Sequence, residues 1–300
     1  MAEIELPTGQ KMPLLILGTY DVQEDEIERT LINAINTGYR HIDTASAYHN
    51  EAIIGDTLTH IFKSQVVSRD QLFLTSKVWP SHYRDVKQAC INSLKRLKVD
   101  YLDLYLLHWP LALKYDDQDP PKVEFGEMEL DQFPLQAVWS QMEELVELKL
   151  VKHIGVCNWT VALLNDMMSY ARIPPIVNQI EVTPYLPRSK LVDFCKKLGV
   201  VPCAYRDIYG LSSHKRVTDD ETLAEVAQKH HKTPAQVLLK WCLVKGCAPI
   251  VKCVCLDTMR HYLDSASLEL TQEDIQAIDS ISTREMHCDP YELFGIQLFD

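Results

Sequence analysis

Eight short apolar runs recur along the 300 residues: LLILG (14–18), YRHID (39–43), LFLTSK (72–77), LDLYLLHW (102–109), HIGV (153–156), IVNQI (176–180), VVPCAY (200–205) and APIVK (248–252). Amphipathic stretches separate them, among them 24–38, 85–99, 135–151 and 188–199, each with apolar residues at three- and four-residue spacing and several closing on Gly. Alternation of a strand buried on both faces with a helix buried on one predicts parallel βα units joined by right-handed crossovers. Eight such units in about 250 residues predict a closed (β/α)8 TIM barrel, read as one domain over 1–300. A doubly wound sheet also alternates strand and helix, but it is expected to carry GxGxxG in its first turn, and that turn reads LGTYDVQEDE. Ahead of the first unit, EIELPTGQKMP reads as a short β-hairpin around a Thr-Gly turn.

Charge and cysteine content narrow the partners. Thirty Lys plus Arg against 42 Asp plus Glu give a net charge of −12, which argues against a nucleic-acid backbone as partner while leaving room for a local anion site. No apolar run approaches the length of a membrane span, and the start has no basic flank followed by an apolar stretch. Nine cysteines without a CxxC pair fit free thiols in a reducing, cytoplasmic compartment better than a disulfide framework or a zinc site, and no metal is expected. The charged, Pro-containing segment 113–133 is long for a connection and reads as a functional loop.

In such a barrel the chemistry gathers at the C-terminal ends of the strands. Asp43 ends the second run with Tyr48 shortly after it, Lys77 ends the third, and His108 lies near the end of the fourth. Each alone has an ordinary structural use: a cap or turn for Asp43, a half-buried aromatic for Tyr48, a satisfied core histidine for His108. Three adjacent strands bring them together, and a buried Lys beside a carboxylate and a phenol does little that an apolar residue would not do better. A phenol is a weak acid near neutrality, with a pKa of about 10, and a nearby ammonium favours its ionised form. The set suits a reaction in which a carbonyl oxygen gains negative charge and is then protonated. Lys77 would activate Tyr48, Asp43 would hold Lys77, and His108 would orient the oxygen.

The segments HIDTASAYHNE, LTSKVW, LYLLHWP, IGVCNW, VNQIEVTPYL and VPCAY together resemble the aldo-keto reductase family over nearly the whole chain. The resemblance implies a barrel that transfers hydride from a nicotinamide cofactor, usually NADPH, to an aldehyde or ketone. Tyr48 is then the acid, Asp43 and Lys77 its support, and His108 the orienting residue. It further implies Asn158 and Gln179 against the carboxamide, Tyr205 stacked on the nicotinamide ring, and a monomer. Cys157 stands where the family usually has Ser.

The phosphate and adenosine side departs from the pattern. The stacking Tyr continues into Arg206 and Asp207, Lys252 is kept, Cys253 replaces a Ser, and Thr258 stands where an Arg usually grips the 2′-phosphate. Thr cannot reproduce the donor fork of Arg. Arg260 points elsewhere on its helix, and His261 and Tyr262 take the adenine-contacting places, with Tyr262 a candidate to stack on the base. Weak NADPH binding and a reduced preference over NADH are expected, and the short connection after 200–205 predicts fast cofactor exchange. Tyr20, Ala47, Trp79, His108 and Trp109 should line a substrate mouth walled by the 113–133 loop and the apolar tail. Such a mouth favours small aromatic or apolar carbonyl compounds, with sugars left open. The alternative is a barrel of weak or lost activity that binds cofactor or plays a structural or regulatory part.

Overall fold

The computed structural model describes residues 3–123, 126, 128–205 and 216–299. Strands β1 (Glu3–Glu5) and β2 (Lys11–Pro13) pair antiparallel, with Ile4 opposite Met12. Eight more strands follow: β3 (Ile16–Gly18), β4 (His41–Asp43), β5 (Phe73–Val78), β6 (Leu102–Leu107), β7 (Val151–Cys157), β8 (Val177–Glu181), β9 (Val201–Tyr205) and β10 (Ala248–Val251). They close into a barrel in chain order, β10 pairing with β3, and every neighbour is parallel. The predicted barrel and hairpin are both present.

Alternation along the strands builds two cores. One set of side chains, including Ile16, Phe73, Leu104, Leu106, Val177, Val201 and Ala248, fills the barrel, and Leu6 and Met12 from the hairpin region close its lower end. The alternate set, including Ile42, Leu74, Tyr105, Ile154 and Ile180, packs outward against the helices. The helix Glu24–Thr37 shows how a unit ends: it buries Ile27, Leu31, Ala34 and Ile35 and stops at Gly38, whose φ of 113° lets its N–H cap the carbonyls of Ala34 and Ile35.

The upper face carries a third apolar cluster. Trp79, Trp109, Leu111 and Leu113 from the strand ends meet Phe294, with Val123 and Met128 from the long loop and Leu293, Ile296, Leu298 and Phe299 from the tail packed around them. The loop is pinned by Arg84 on Asp131 and by Arg96 on Asp119. The tail is pinned by Glu181, at the end of β8, which accepts hydrogen bonds from the backbone N–H groups of His287 (2.8 Å) and Cys288 (2.9 Å). No helix among the described residues is long and apolar enough to cross a membrane.

Candidate active site

A cavity of about 410 Å³ opens at the C-terminal ends of the strands and contains Asp43, Tyr48 and His108 in its lining. A second cavity, of about 310 Å³ between helix ends near Leu15 and Leu263, lies away from these residues. Register sets the geometry of the first. Asp43 pairs with Thr75, and β5 runs on so that Lys77, two residues along and on the same face, projects above it.

The Lys77 ammonium is fully buried, and each of its three protons has an acceptor. It donates to Asp43 Oδ1 (2.5 Å), to the Thr44 carbonyl (3.0 Å) and to the Tyr48 hydroxyl oxygen (3.1 Å). Since the phenol oxygen accepts from Lys77, its own proton is available to the cavity. Asp43 is 3% exposed, and its second oxygen accepts from Gln179 Nε2 (2.8 Å). The Tyr48 loop is tied down by residues not singled out in the sequence. Ser46 Oγ donates to the Lys77 carbonyl (3.1 Å), Thr44 Oγ1 to Asn50 Oδ1 (2.9 Å), and Asn50 Nδ2 to the Thr19 carbonyl (2.9 Å).

The electrostatics correct one expectation. Lys77 does pull the Tyr48 pKa down, but burial of the phenol pushes it up by more, and the net shift is upward. The phenol therefore holds its proton through neutrality. Burial alone would lower Lys77, yet Asp43 in first place, with Tyr48 and the hydrogen bond to Asp43, reverses the sign and keeps it an ammonium. Burial, then the charge of Lys77, drives His108 well below the usual histidine range, so its ring is neutral. Trp79 meets that ring edge to face at 5.2 Å, and Nδ1 has no hydrogen-bond partner among the described residues.

On the opposite wall, Asn158, at a φ of 69°, donates to the His108 carbonyl (3.1 Å) and accepts from the Tyr205 hydroxyl (2.6 Å). Gln179 donates an amide N–H to Asp43, whereas among the described residues its oxygen meets only the weak Cys157 thiol donor at 3.8 Å. Burial raises the Cys157 thiol, so it stays protonated. An under-used amide oxygen on a wall that also carries the Tyr205 ring suits a carboxamide. The donor set therefore fits a nicotinamide.

Tyr20, Ala47, Trp79 and Trp109 all line the cavity. Tyr20 is 43% exposed at its lip and meets Tyr48 edge to face at 5.0 Å. His287, Cys288, Glu292 and Leu293 from the tail complete the wall.

The adenosine side is less closely matched. Lys252 lines the cavity, but Cys253, Thr258 and Tyr262 do not. Cys253 is buried and donates to the Cys255 carbonyl (3.3 Å). Tyr262 is only 3% exposed within the outer core and presents no open face for a base, contrary to the expected stacking. Arg260 pairs with Asp257 on its own helix. Arg206, Asp207 and most of the short connection after β9 lie outside the described residues.

The profile of the Aldo/keto reductase family matches residues 14–283. The NADP-dependent D-sorbitol-6-phosphate dehydrogenase of Malus domestica is 36% identical over 309 residues, covering 100% of both chains. The solved aldose reductase of Giardia lamblia superposes with a TM-score of 0.91 at 35% identity, covering 99% of this chain and 100% of that one. A Bombyx mori aldo-keto reductase solved in complex with NADP gives 0.87 at 31% identity, covering 98% and 97%. With the buried Lys, its carboxylate and the phenol in one bonded cluster at the mouth of an eight-stranded parallel barrel, these matches show that the chain belongs to the aldo/keto reductase family.

Proposed function

We propose that the protein reduces small aldehydes or ketones to alcohols with NADPH, and that Tyr48 is the general acid. The observation that carries this reading is the Lys77 ammonium bonded at once to Asp43, the Thr44 carbonyl and the Tyr48 oxygen, at the base of a cavity large enough for a small carbonyl compound. The matched relatives support the cofactor, since one is named as NADP-dependent and another was solved with NADP.

The roles follow from the bonds. A substrate carbonyl oxygen sits between the Tyr48 hydroxyl and the neutral His108 ring, both of which can donate to it. Bound NADPH supplies the hydride. As negative charge grows on the oxygen, Tyr48 releases its proton, because an alkoxide is a far stronger base than a phenolate even with the phenol pKa raised. Lys77 stabilises the phenolate left behind, and Asp43 keeps Lys77 charged and in place. Asn158, Gln179 and Cys157 would hold the carboxamide, with Tyr205 on the side of the ring and Lys252 toward the phosphates.

Trp79, Trp109 and Leu293 make the substrate wall apolar, which favours aromatic or hydrophobic carbonyl compounds over short charged ones. Nine cysteines, most of them buried, support a cytoplasmic setting, and we take the chain to act as a single monomeric barrel domain. The test is conversion of benzaldehyde by the purified protein. Benzyl alcohol should form mole for mole with NADP, faster at equal concentration than reduction of a short keto acid. No alcohol from any of a panel of aldehydes, with NADPH bound, would favour the cofactor-binding alternative.

A further inference from the structure

The structure shows a polar contact on the cofactor side that accounts for none of the chemistry described above. Lys252, just past β10, donates to both the backbone carbonyl of Asp21 (2.6 Å) and its carboxylate Oδ2 (2.7 Å). One ammonium thus clasps two oxygens of one residue, joining the first βα loop to the last strand across 231 positions of chain. Asp21 sits at a φ of 54°, a left-handed conformation that Asp tolerates better than most residues. The loop is anchored on its other side, where Thr19 donates through both its N–H (3.0 Å) and its hydroxyl (3.1 Å) to the Asp43 carbonyl. Asp21 is therefore presented to Lys252 by a fixed turn.

Lys252 lines the cavity at the end where, on the proposed function, the phosphates of the dinucleotide arrive. Among the described residues, Arg260 is paired with Asp257 on its own helix, and Thr258 carries no charge. The Asp21 carboxylate holds the one cation that the described residues offer in the lining of this end of the cavity.

We infer that Asp21 is a specificity-determining residue: its carboxylate occupies the anion seat at Lys252 and must be displaced by the cofactor phosphate. This inference rests on the proposed function and adds a cause for weak discrimination between the dinucleotides. A seated carboxylate penalises the cofactor that relies on Lys252 most, which is the one carrying the extra 2′-phosphate. Two physical terms act in the same direction. Lys252 must give up a charge-assisted bond, and the displaced carboxylate stays close to the incoming phosphate and repels it. The pair is half-exposed, with side-chain exposures of 33% for Lys252 and 48% for Asp21, so water and salt screen it and the penalty is modest.

The experiment is a tryptophan-fluorescence titration of NADPH and of NADH into wild type, Asp21→Asn, Lys252→Met and the double variant, with folding checked by circular dichroism. Asn keeps an oxygen for the clasp and tolerates the left-handed turn, so only the charge is removed. Asp21→Asn should tighten NADPH by about three- to tenfold, tighten NADH less, and flatten the difference between low and high salt caused by the clasp. In the Lys252→Met background the same change should have under half that effect. An NADPH constant within about twofold of wild type for Asp21→Asn, or an equal gain with and without Lys252, overturns the inference while leaving the proposed function standing. No saturable binding of either dinucleotide by any of the four folded proteins overturns the proposed function, and this inference with it.

Discussion

The two ends of the cavity are built differently. At the catalytic end every proton of Lys77 is used, both carboxylate oxygens of Asp43 are bonded, and Lys77 and Asp43 are both buried. At the phosphate end the described residues offer one half-exposed ion pair, Lys252 with Asp21, and three of the other expected positions hold a thiol, a threonine and a buried tyrosine. A buried ionic network tolerates little, because losing one partner strands a charge with nowhere to go. An exposed rim can be altered at small cost in stability, since water replaces whatever contact is lost. Chemistry and cofactor selectivity are therefore separable in this molecule: the first depends on burial, the second on rim charges.

The largest effect on stability should come from breaking the buried end. Lys77→Met leaves the Asp43 carboxylate buried without its cation and should cost about 3–5 kcal/mol in urea unfolding, along with turnover. A loss under 1 kcal/mol would mean that the cluster is wetter than its burial indicates. The matching change at the rim, Lys252→Met, should alter stability by less than about 1 kcal/mol.

Acid should weaken the barrel interior in a defined window. His41 is buried with Nδ1 facing the Pro13 carbonyl (3.0 Å) and Nε2 facing the Thr75 hydroxyl (2.9 Å). The carbonyl can only accept, so Nδ1 carries the proton and Nε2 accepts from Thr75. Burial, partly opposed by the Pro13 bond, lowers its pKa from 6.5 to about 4. Between those values the unfolded chain binds a proton that the folded one refuses. Stability is therefore complete above about pH 6.5 and falls as pH drops toward 4, by on the order of 3 kcal/mol. Denaturant titrations at several pH values should show this slope in wild type and lose it in His41→Gln; equal slopes would assign the acid sensitivity elsewhere.

The smallest effect sits between the two ends. Cys157→Ser would replace a thiol 3.8 Å from Gln179 Oε1 with a stronger donor in the carboxamide seat. NADPH and NADH should both tighten by about two- to threefold, because the change touches the nicotinamide they share. A gain confined to NADPH would show that the seat and the rim are coupled.

The barrel was legible in the sequence because strands buried on both faces leave compact apolar runs, and the catalytic residues because each closes or follows such a run. Boundaries were less sharp where apolar spacing continued past an element. The helix expected over 135–151 stops at Glu147, since Lys149 turns left-handed at a φ of 59° and Val151 begins β7. Asp21 was not legible as a partner of Lys252, because closure of the barrel alone brings the first loop to the last strand. Glu181 carried a signal that was passed over: a lone carboxylate ending a fully buried strand needs donors, and the tail supplies two backbone N–H groups. The direction of the Tyr48 shift was not readable either, since it depends on how far burial of the ring outweighs one ammonium.

The central claim is that Tyr48 delivers the proton from a cluster that leaves cofactor binding untouched. Tyr48→Phe, which keeps the ring and removes only the hydroxyl, tests it most directly when benzaldehyde reduction and NADPH affinity are measured on the same preparation. The predicted result is turnover reduced by about 10²- to 10⁴-fold with the NADPH dissociation constant within about twofold of wild type. Turnover retained within tenfold would contradict the account and move the acid to another group.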